Sequence, residues 1–154
     1  MRKLLTTEPV LLTVAGVAIR TYQGTDDIEP WVALRERAFG NERISIRSWH
    51  YTHFQEEFLA KSWWRPEHLW LAIDDERLVG SVALAQRGTG TSARPAVHWL
   101  MVHPAHRRRG IAAALTSYLE RTVWEAGQRE IVLETHAAWT RAAAFYLKSG
   151  YEVT

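Results

Sequence analysis

Hydrophobic and polar positions change period several times along this chain, and each change marks a predicted element. Two short apolar runs, Val10 to Val14 and Val17 to Tyr22, read as strands parted at Gly16, where a turn or bulge is easiest. From Gly24 the period becomes helical. Asp26 or Asp27 can cap a helix there, and Ile28, Trp31, Leu34 and Ala38 recur on one face before Gly40 offers a stop. After a polar and aromatic stretch from Asn41 to Tyr51, the capping-box pattern Thr52-x-x-Gln55 introduces a second helix carrying Phe54, Phe58 and Leu59, and Pro66 closes that region. Leu69 to Ile73 and Leu78 to Ala85 alternate as strands across the polar turn Asp74-Asp75-Glu76-Arg77. The stretch Arg87 to Pro95, rich in Gly, Ser and Thr, reads as a loop and the most mobile segment. Beyond it Val97 to Val102 is a strand. Ile111, Leu115, Tyr118, Leu119 and Val123 stripe a helix that Gly127 ends, Glu130 to Thr135 is a strand, Ala138 to Ser149 a last helix, and Tyr151 to Thr154 begins another strand.

That order predicts an α/β (α+β) protein with a mixed sheet and helices on its faces. The length of 154 residues fits one domain, with residues 1–16 as an amino-terminal extension. Composition narrows the class further. The net charge is only +2, and acids are interspersed with the arginines everywhere except at Arg107 to Arg109, which argues against a broad nucleic-acid face. Absence of cysteine excludes disulfides, thiolate metal sites and a cysteine nucleophile, and agrees with a cytoplasmic protein. Glu8 and Pro9 interrupt the apolar start, against a signal peptide, and no apolar run has the length to span a bilayer.

The chemistry concentrates between Pro95 and Ala114, where an apolar strand, a basic turn and a helix start follow one another. The first amides of a helix lack internal partners and carry partial positive charge, so phosphates bind there. Gly110 and Ala112 permit close backbone approach, and the arginines add charge that does not titrate near neutrality. The turn reads as a diphosphate site. Arg107-x-x-Gly110-x-Ala112, preceded by Leu100-Met101-Val102-His103-Pro104, resembles the R/Q-x-x-G-x-G/A signature and L-x-V-x-P strand end of the GNAT superfamily of N-acetyltransferases. The resemblance extends over roughly Val17 to Thr154 and implies a GNAT-like fold, a mostly antiparallel central sheet with about four helices. It also implies that acetyl-coenzyme A is the acyl donor, its pyrophosphate gripped by Arg107, Arg108, Arg109, Gly110, Ile111, Ala112 and Ala113. Further implied are a bulge near Leu100 whose N–H faces the thioester oxygen, and main-chain pairing near Val102 with the pantetheine arm.

A second motif, Ala142-x-x-Phe145-Tyr146-x-x-x-Gly150-Tyr151, resembles the family's A-x-x-x-Y-x-x-x-G-F, whose tyrosine commonly lies beside the cofactor sulfur. A departing thiolate needs a proton, and a phenol holds one at neutral pH; Tyr146 is the candidate acid, with a core tyrosine as the alternative. An alkyl ammonium must lose a proton before it attacks, and imidazole titrates in the right range. Strand alternation puts His98, Leu100 and Val102 on one face, and His98 matches a histidine of the arylalkylamine acetyltransferases; it is the candidate base, directly or through water, against a buried structural histidine. His103 is expected to face the loop. His136 is a second base candidate or a substrate contact. Trp49, Tyr51, Phe54, Trp63 and Trp64 flank helices that wall the acceptor pocket in GNAT folds, so an aromatic acceptor site is expected alongside ordinary core packing, with Glu56 or Glu57 able to receive a cationic amine. No metal site is expected, since His50/His53 and His103/His106 lack a third ligand.

Two departures stand out. Trp139 occupies a position where many members carry Asn, so a polar contact near the cofactor is missing or replaced by stacking. The usual last strand is missing, and Val10 to Val14 is expected to cover the resulting edge, within its own subunit or by strand exchange in a homodimer. The reading is an N-acetyltransferase that passes acetyl from acetyl-CoA to a primary amine of a small molecule or peptide in a ternary complex, without nucleic acid or membrane partners. Its rivals are a non-catalytic CoA-binding or assembly module, and a nucleic-acid contact at the basic turn.

Overall fold

The computed structural model describes residues 1–40, 49–135 and 139–154. Six strands form one mixed sheet in the order β1-β6-β5-β4-β3-β2. They are β1 (Arg2–Leu4), β2 (Val17–Thr21), β3 (Leu69–Asp74), β4 (Arg77–Arg87), β5 (Arg94–Val102) and β6 (Glu130–Val132). The helices are α1 (Ile28–Phe39), α2 (Tyr51–Phe54) running into a π-helical turn (Gln55–Leu59), α3 (Ile111–Glu125) and α4 (Thr140–Lys148). All pairings are antiparallel except β5 with β6. The β3–β4 hairpin turns tightly through Asp75 and Glu76, whose φ values of 50° and 64° give the left-handed pair that suits the twist of the flanking strands.

Side-chain period sorts the core onto two faces. The α1 stripe Ile28, Trp31, Leu34 and Ala38 is buried with Phe54 and Phe58 against Leu69, Leu71, Ala83 and Met101. On the opposite side Ile111, Leu115, Leu119 and Val123 of α3 are buried with Trp70, Ala72, Val82, Val97 and Val102. Gly80 lets α3 lie close to the sheet. A Cβ there would stand 3.0 Å from Ile111 Cγ2 and 3.1 Å from Leu115 Cδ1, tighter than packed side chains normally come.

The edge is covered from within the chain, but by different residues than expected. Val10 to Val14 forms no strand; Arg2–Leu4 does, pairing with Val132, Ile131 and Glu130 of β6, while Arg2 also bridges Glu152. Charge explains the choice. Lys3 reaches Glu120 of α3, with Nζ 3.0 Å from both carboxylate oxygens, and the Tyr151 hydroxyl donates to the same carboxylate at 3.2 Å. Glu120 is 7% exposed and thus joins the amino-terminal strand, α3 and the carboxy-terminal segment. No exchanged strand is needed to complete the sheet, and only the single bridge at Glu152 marks the strand expected over Tyr151 to Thr154.

The residues between β1 and β2 run antiparallel along the outside of α3. Arg121 pairs with Glu8 at 3.0 Å and donates to the Pro9 carbonyl at 3.1 Å, and the Leu12 amide donates to Ser117 Oγ at 3.0 Å. These contacts replace strand pairing and leave Val10, Leu11 and Leu12 exposed. Gly16, at φ 77°, then turns the chain into β2 as predicted, with Val14 bridging Val17. The expected loop over Arg87 to Pro95 is also shorter, because β4 and β5 pair out to Arg87↔Arg94. Finally, α2 begins before Thr52: His53 Nδ1 accepts the His50 amide at 2.8 Å and tightens the first turn.

Candidate functional site

The strand–turn–helix unit folds as its sequence suggests. β5 ends at Val102, Pro104–His106 makes one 3-10 turn, Arg108 and Gly110 take positive φ of 64° and 86°, and α3 begins at Ile111. The first internal bond of the helix runs from the Ala114 amide to the Gly110 carbonyl. No side chain caps this end and no acid stands in its first turn, so the amides of Ile111, Ala112 and Ala113 face outward with the positive end of the dipole. The three arginines divide the work. Arg107 donates to the carbonyls of Val102 (3.2 Å) and Ala38 (2.8 Å), tying the turn to β5 and α1. Arg109 donates to Asp74 at 2.7 Å and lies 3.4 Å from the Ala15 carbonyl. That guanidinium holds the Asp74 carboxyl below its ordinary value. Arg108 is exposed beside the helix opening.

The bulge expected near Leu100 is present. Ser81 pairs with Met101 and Ala83 with His98, so Trp99 and Leu100 together oppose Val82, and Trp99 has φ 50°. This extra residue breaks the alternation that would have put His98 on the face of Leu100 and Val102. His98 and Trp99 instead lie toward α1 and α2, among Phe58 and Trp63, whereas Leu100 and Val102 pack on the α3 side. β5 and β6 pair at Ala96↔Val132, the register pair between them, and Leu100 to Val102 lie beyond it. Among the described residues no β6 residue pairs with that stretch, and its Val102 carbonyl is held by Arg107.

His98 lies in an aromatic wall. Its ring centroid is 5.8 Å from those of Phe58 and Trp99 and 6.1 Å from that of Trp63. Its Nε2 is 3.1 Å from Oε1 of Glu57, a residue of the π-helical turn. The hydrogen bond to His98 is the main reason that the Glu57 carboxyl sits below its usual value. Trp49 belongs to the same wall, 5.2 Å from Trp99, with the Arg35 guanidinium over its ring. Tyr51 does not: it is exposed at the start of α2. Trp63 also borders a cavity of about 220 Å³ whose polar lining includes Arg65, His68, Gln86 and Arg94.

Tyr146 is 7% exposed on α4, in the cluster against which Leu100 packs. Its ring meets Phe145 and Tyr151, each with centroids 5.4 Å apart. Burial drives its pKa well above that of a free phenol, so it carries its proton throughout the neutral range. At the start of α4, Trp139 stacks on Phe39 at 5.4 Å, and Phe39 touches Trp99 at 5.7 Å, linking α4 to the wall around His98. His136, the other base candidate, lies outside the described residues. His103 faces its own loop, its Nδ1 accepting the Ala105 amide at 3.1 Å. Among the described residues no group of three metal-ligating side chains occurs, and no helix is long and apolar enough to cross a membrane.

From sequence alone Glu56 and Glu57 are candidates only to receive a cationic amine. Helical spacing could not select Glu57 as the partner of His98, because the π turn shifts its direction and the bulge turns His98 toward it.

Comparison with known proteins agrees with this geometry. Residues 38–151 match the model of the acetyltransferase (GNAT) family. A mycothiol acetyltransferase of Clavibacter sepedonicus is 32% identical over 138 residues, 89% of this chain and 43% of the relative. One of Geodermatophilus obscurus is 28% identical over 147 residues, 94% of this chain and 47% of the relative. The chain thus spans less than half the length of these relatives. Among solved structures, a predicted acetyltransferase from Clostridium acetobutylicum with acetyl-CoA superposes with TM-score 0.72 at 20% identity, over 90% of this chain and 91% of that one. The aminoglycoside N-acetyltransferase AAC(6')-Iy in complex with CoA superposes with TM-score 0.67 at 21% identity, over 93% of each chain. At such identities the structures speak for the fold. With the family match spanning most of its length, the chain belongs to the GNAT family of acetyltransferases.

Proposed function

We propose that this protein transfers an acetyl group from acetyl-CoA to the primary amine of a small molecule by direct attack in a ternary complex. The observation that carries this is the uncapped start of α3 beside the end of β5. Its outward amides and Arg108 hold the diphosphate, Arg107 fixes the turn from behind by holding the Val102 carbonyl, and the pantetheine arm pairs with the backbone between Leu100 and Val102 that β6 leaves without a partner. At the bulge an unpaired N–H faces the thioester oxygen as it gains charge. The ammonium gives a proton to His98, the free amine attacks the acyl carbon, and the C–S bond breaks as Tyr146 donates its hydroxyl proton to the sulfur; the surplus proton on the new amide nitrogen then passes to the tyrosinate oxygen and restores the phenol. Names of related proteins favour a small-molecule acceptor: mycothiol and aminoglycoside acetyltransferases stand among the similar chains. The aromatic wall of Trp49, Trp63 and Trp99 suits the apolar part of such an amine.

The test is thiol release from acetyl-CoA across amine classes with wild type and His98→Ala. We expect turnover with at least one small amine, and a loss of about tenfold at neutral pH in the variant that shrinks at alkaline pH, where the amine is deprotonated unaided. An equal rate for the variant at every pH removes His98 as base. Absence of release with every amine removes the enzymatic reading.

A further inference from the structure

The carboxylate beside His98 has no role in the chemistry so far, yet its position is specific. Glu57 sits on the one π-helical turn of the described residues, directly before Phe58, which is fully buried and anchors the turn in the core. A π turn widens the helix by one residue and re-aims the side chains that follow its start. Across the gap, the bulge at Trp99 and Leu100 brings His98 to the same face. Two local departures from regular geometry, on different elements, converge on a single 3.1 Å contact. The contact is sheltered, with the side chains of His98 and Glu57 20% and 36% exposed and Phe58, Trp63 and Trp99 around the imidazole.

We propose that Glu57 is a positioning residue for His98: its carboxylate accepts the Nε2 proton, fixes the ring and its tautomer, and leaves Nδ1 as the atom that takes the proton from the acceptor amine. The inference rests on the reading of His98 as the base. An ionised carboxylate can only accept, so in the neutral ring Nε2 is the protonated nitrogen and Nδ1 keeps its lone pair. No described residue occupies Nδ1. Once the ammonium proton reaches Nδ1, the imidazolium carries its positive charge beside the Glu57 anion, which stabilises it. The other charges felt at Glu57 are the cations Lys61 and Arg87; both favour its ionised form, so neither competes with its role as acceptor.

The experiment combines imidazole 15N NMR with kinetics. With its imidazole neutral, wild-type His98 should show a protonated Nε2 and an unprotonated Nδ1; Glu57→Ala should mix the tautomers while the rest of the spectrum reports an intact fold. With an accepted amine, Glu57→Ala should lower kcat about tenfold and leave the acetyl-CoA KM unchanged. Glu57→Gln, whose amide oxygen still accepts from Nε2, should recover most of the rate. In a His98→Ala background the Glu57→Ala change should cost nothing further. A wild-type His98 protonated on Nδ1, or a tautomer unaltered in Glu57→Ala, overturns the proposal. So does an equal loss in the Gln and Ala variants, which would make the charge itself, as base or amine anchor, the source of the effect. If His98→Ala retains full turnover, the base reading fails, and the NMR result still decides whether Glu57 positions the ring.

Discussion

Tyr146→Phe lowers kcat for acetyl transfer about a hundredfold and leaves the KM for acetyl-CoA nearly unchanged. The reason is chemical rather than structural. Phenylalanine keeps the ring that packs between Phe145 and Tyr151, so the only loss is the hydroxyl and its proton. Burial holds that proton on Tyr146 through the neutral range, so the hydroxyl is there to be lost in the variant. The substitution should therefore leave the denaturation midpoint close to wild type while removing the step that assists C–S cleavage. Single-turnover measurement of thiol release checks this. A variant that keeps wild-type kcat would make Tyr146 a packing residue, the alternative that its helical position always allowed.

Trp31→Ala should destabilise the fold by about 4 kcal/mol, in the range for deleting a large buried aromatic. Trp31 is fully buried on α1, and its ring lies edge-on to Phe54 and Phe58 at 5.2 Å and near Trp49 and Trp99 at 5.6 and 6.1 Å. Its indole N–H donates to Ser81 Oγ at 3.0 Å, and Ser81 is itself completely buried. Truncation leaves a cavity and a hydroxyl without a partner, two costs with the same sign. Urea denaturation should show a lower midpoint at unchanged slope. Trp31→Phe, which fills most of the space and loses only the donor, should fall between. A loss below about 1 kcal/mol would mean that the aromatic layer repacks, and that α1 does not hold the aromatic wall as described.

Regular elements were legible wherever period alone determines structure. The α1 and α3 stripes, the β3–β4 hairpin and the turn from Val102 into α3 follow from residue spacing, Gly110 and the local polar run. Irregular backbone was not. Alternation put His98 with Leu100 and Val102, and one extra residue in β5 reversed it, because a bulge inverts every side chain beyond it. Long-range charge pairing was equally hidden. Nothing local distinguishes Lys3 from other basic residues, yet its partner Glu120 is what makes Arg2–Leu4 the edge strand and leaves Val10 to Val14 as a strap over α3. For the basic turn, sequence treated three arginines as equivalent. The fold commits Arg107 to the carbonyls of Val102 and Ala38 and Arg109 to Asp74, leaving Arg108 and the backbone amides toward solvent.

The claim on which the functional account stands is that the amides opening α3 hold the diphosphate of acetyl-CoA. Gly110→Asp tests it most directly, because at the cost of some backbone strain at φ 86° it sets a negative charge beside those amides, where the phosphates would lie. Titration calorimetry with acetyl-CoA should show one binding event in the wild-type protein and at least about tenfold weaker binding in Gly110→Asp, a difference of about 1.4 kcal/mol or more, with the helix content unchanged. No heat with the wild type, or the same affinity in both proteins, would contradict it.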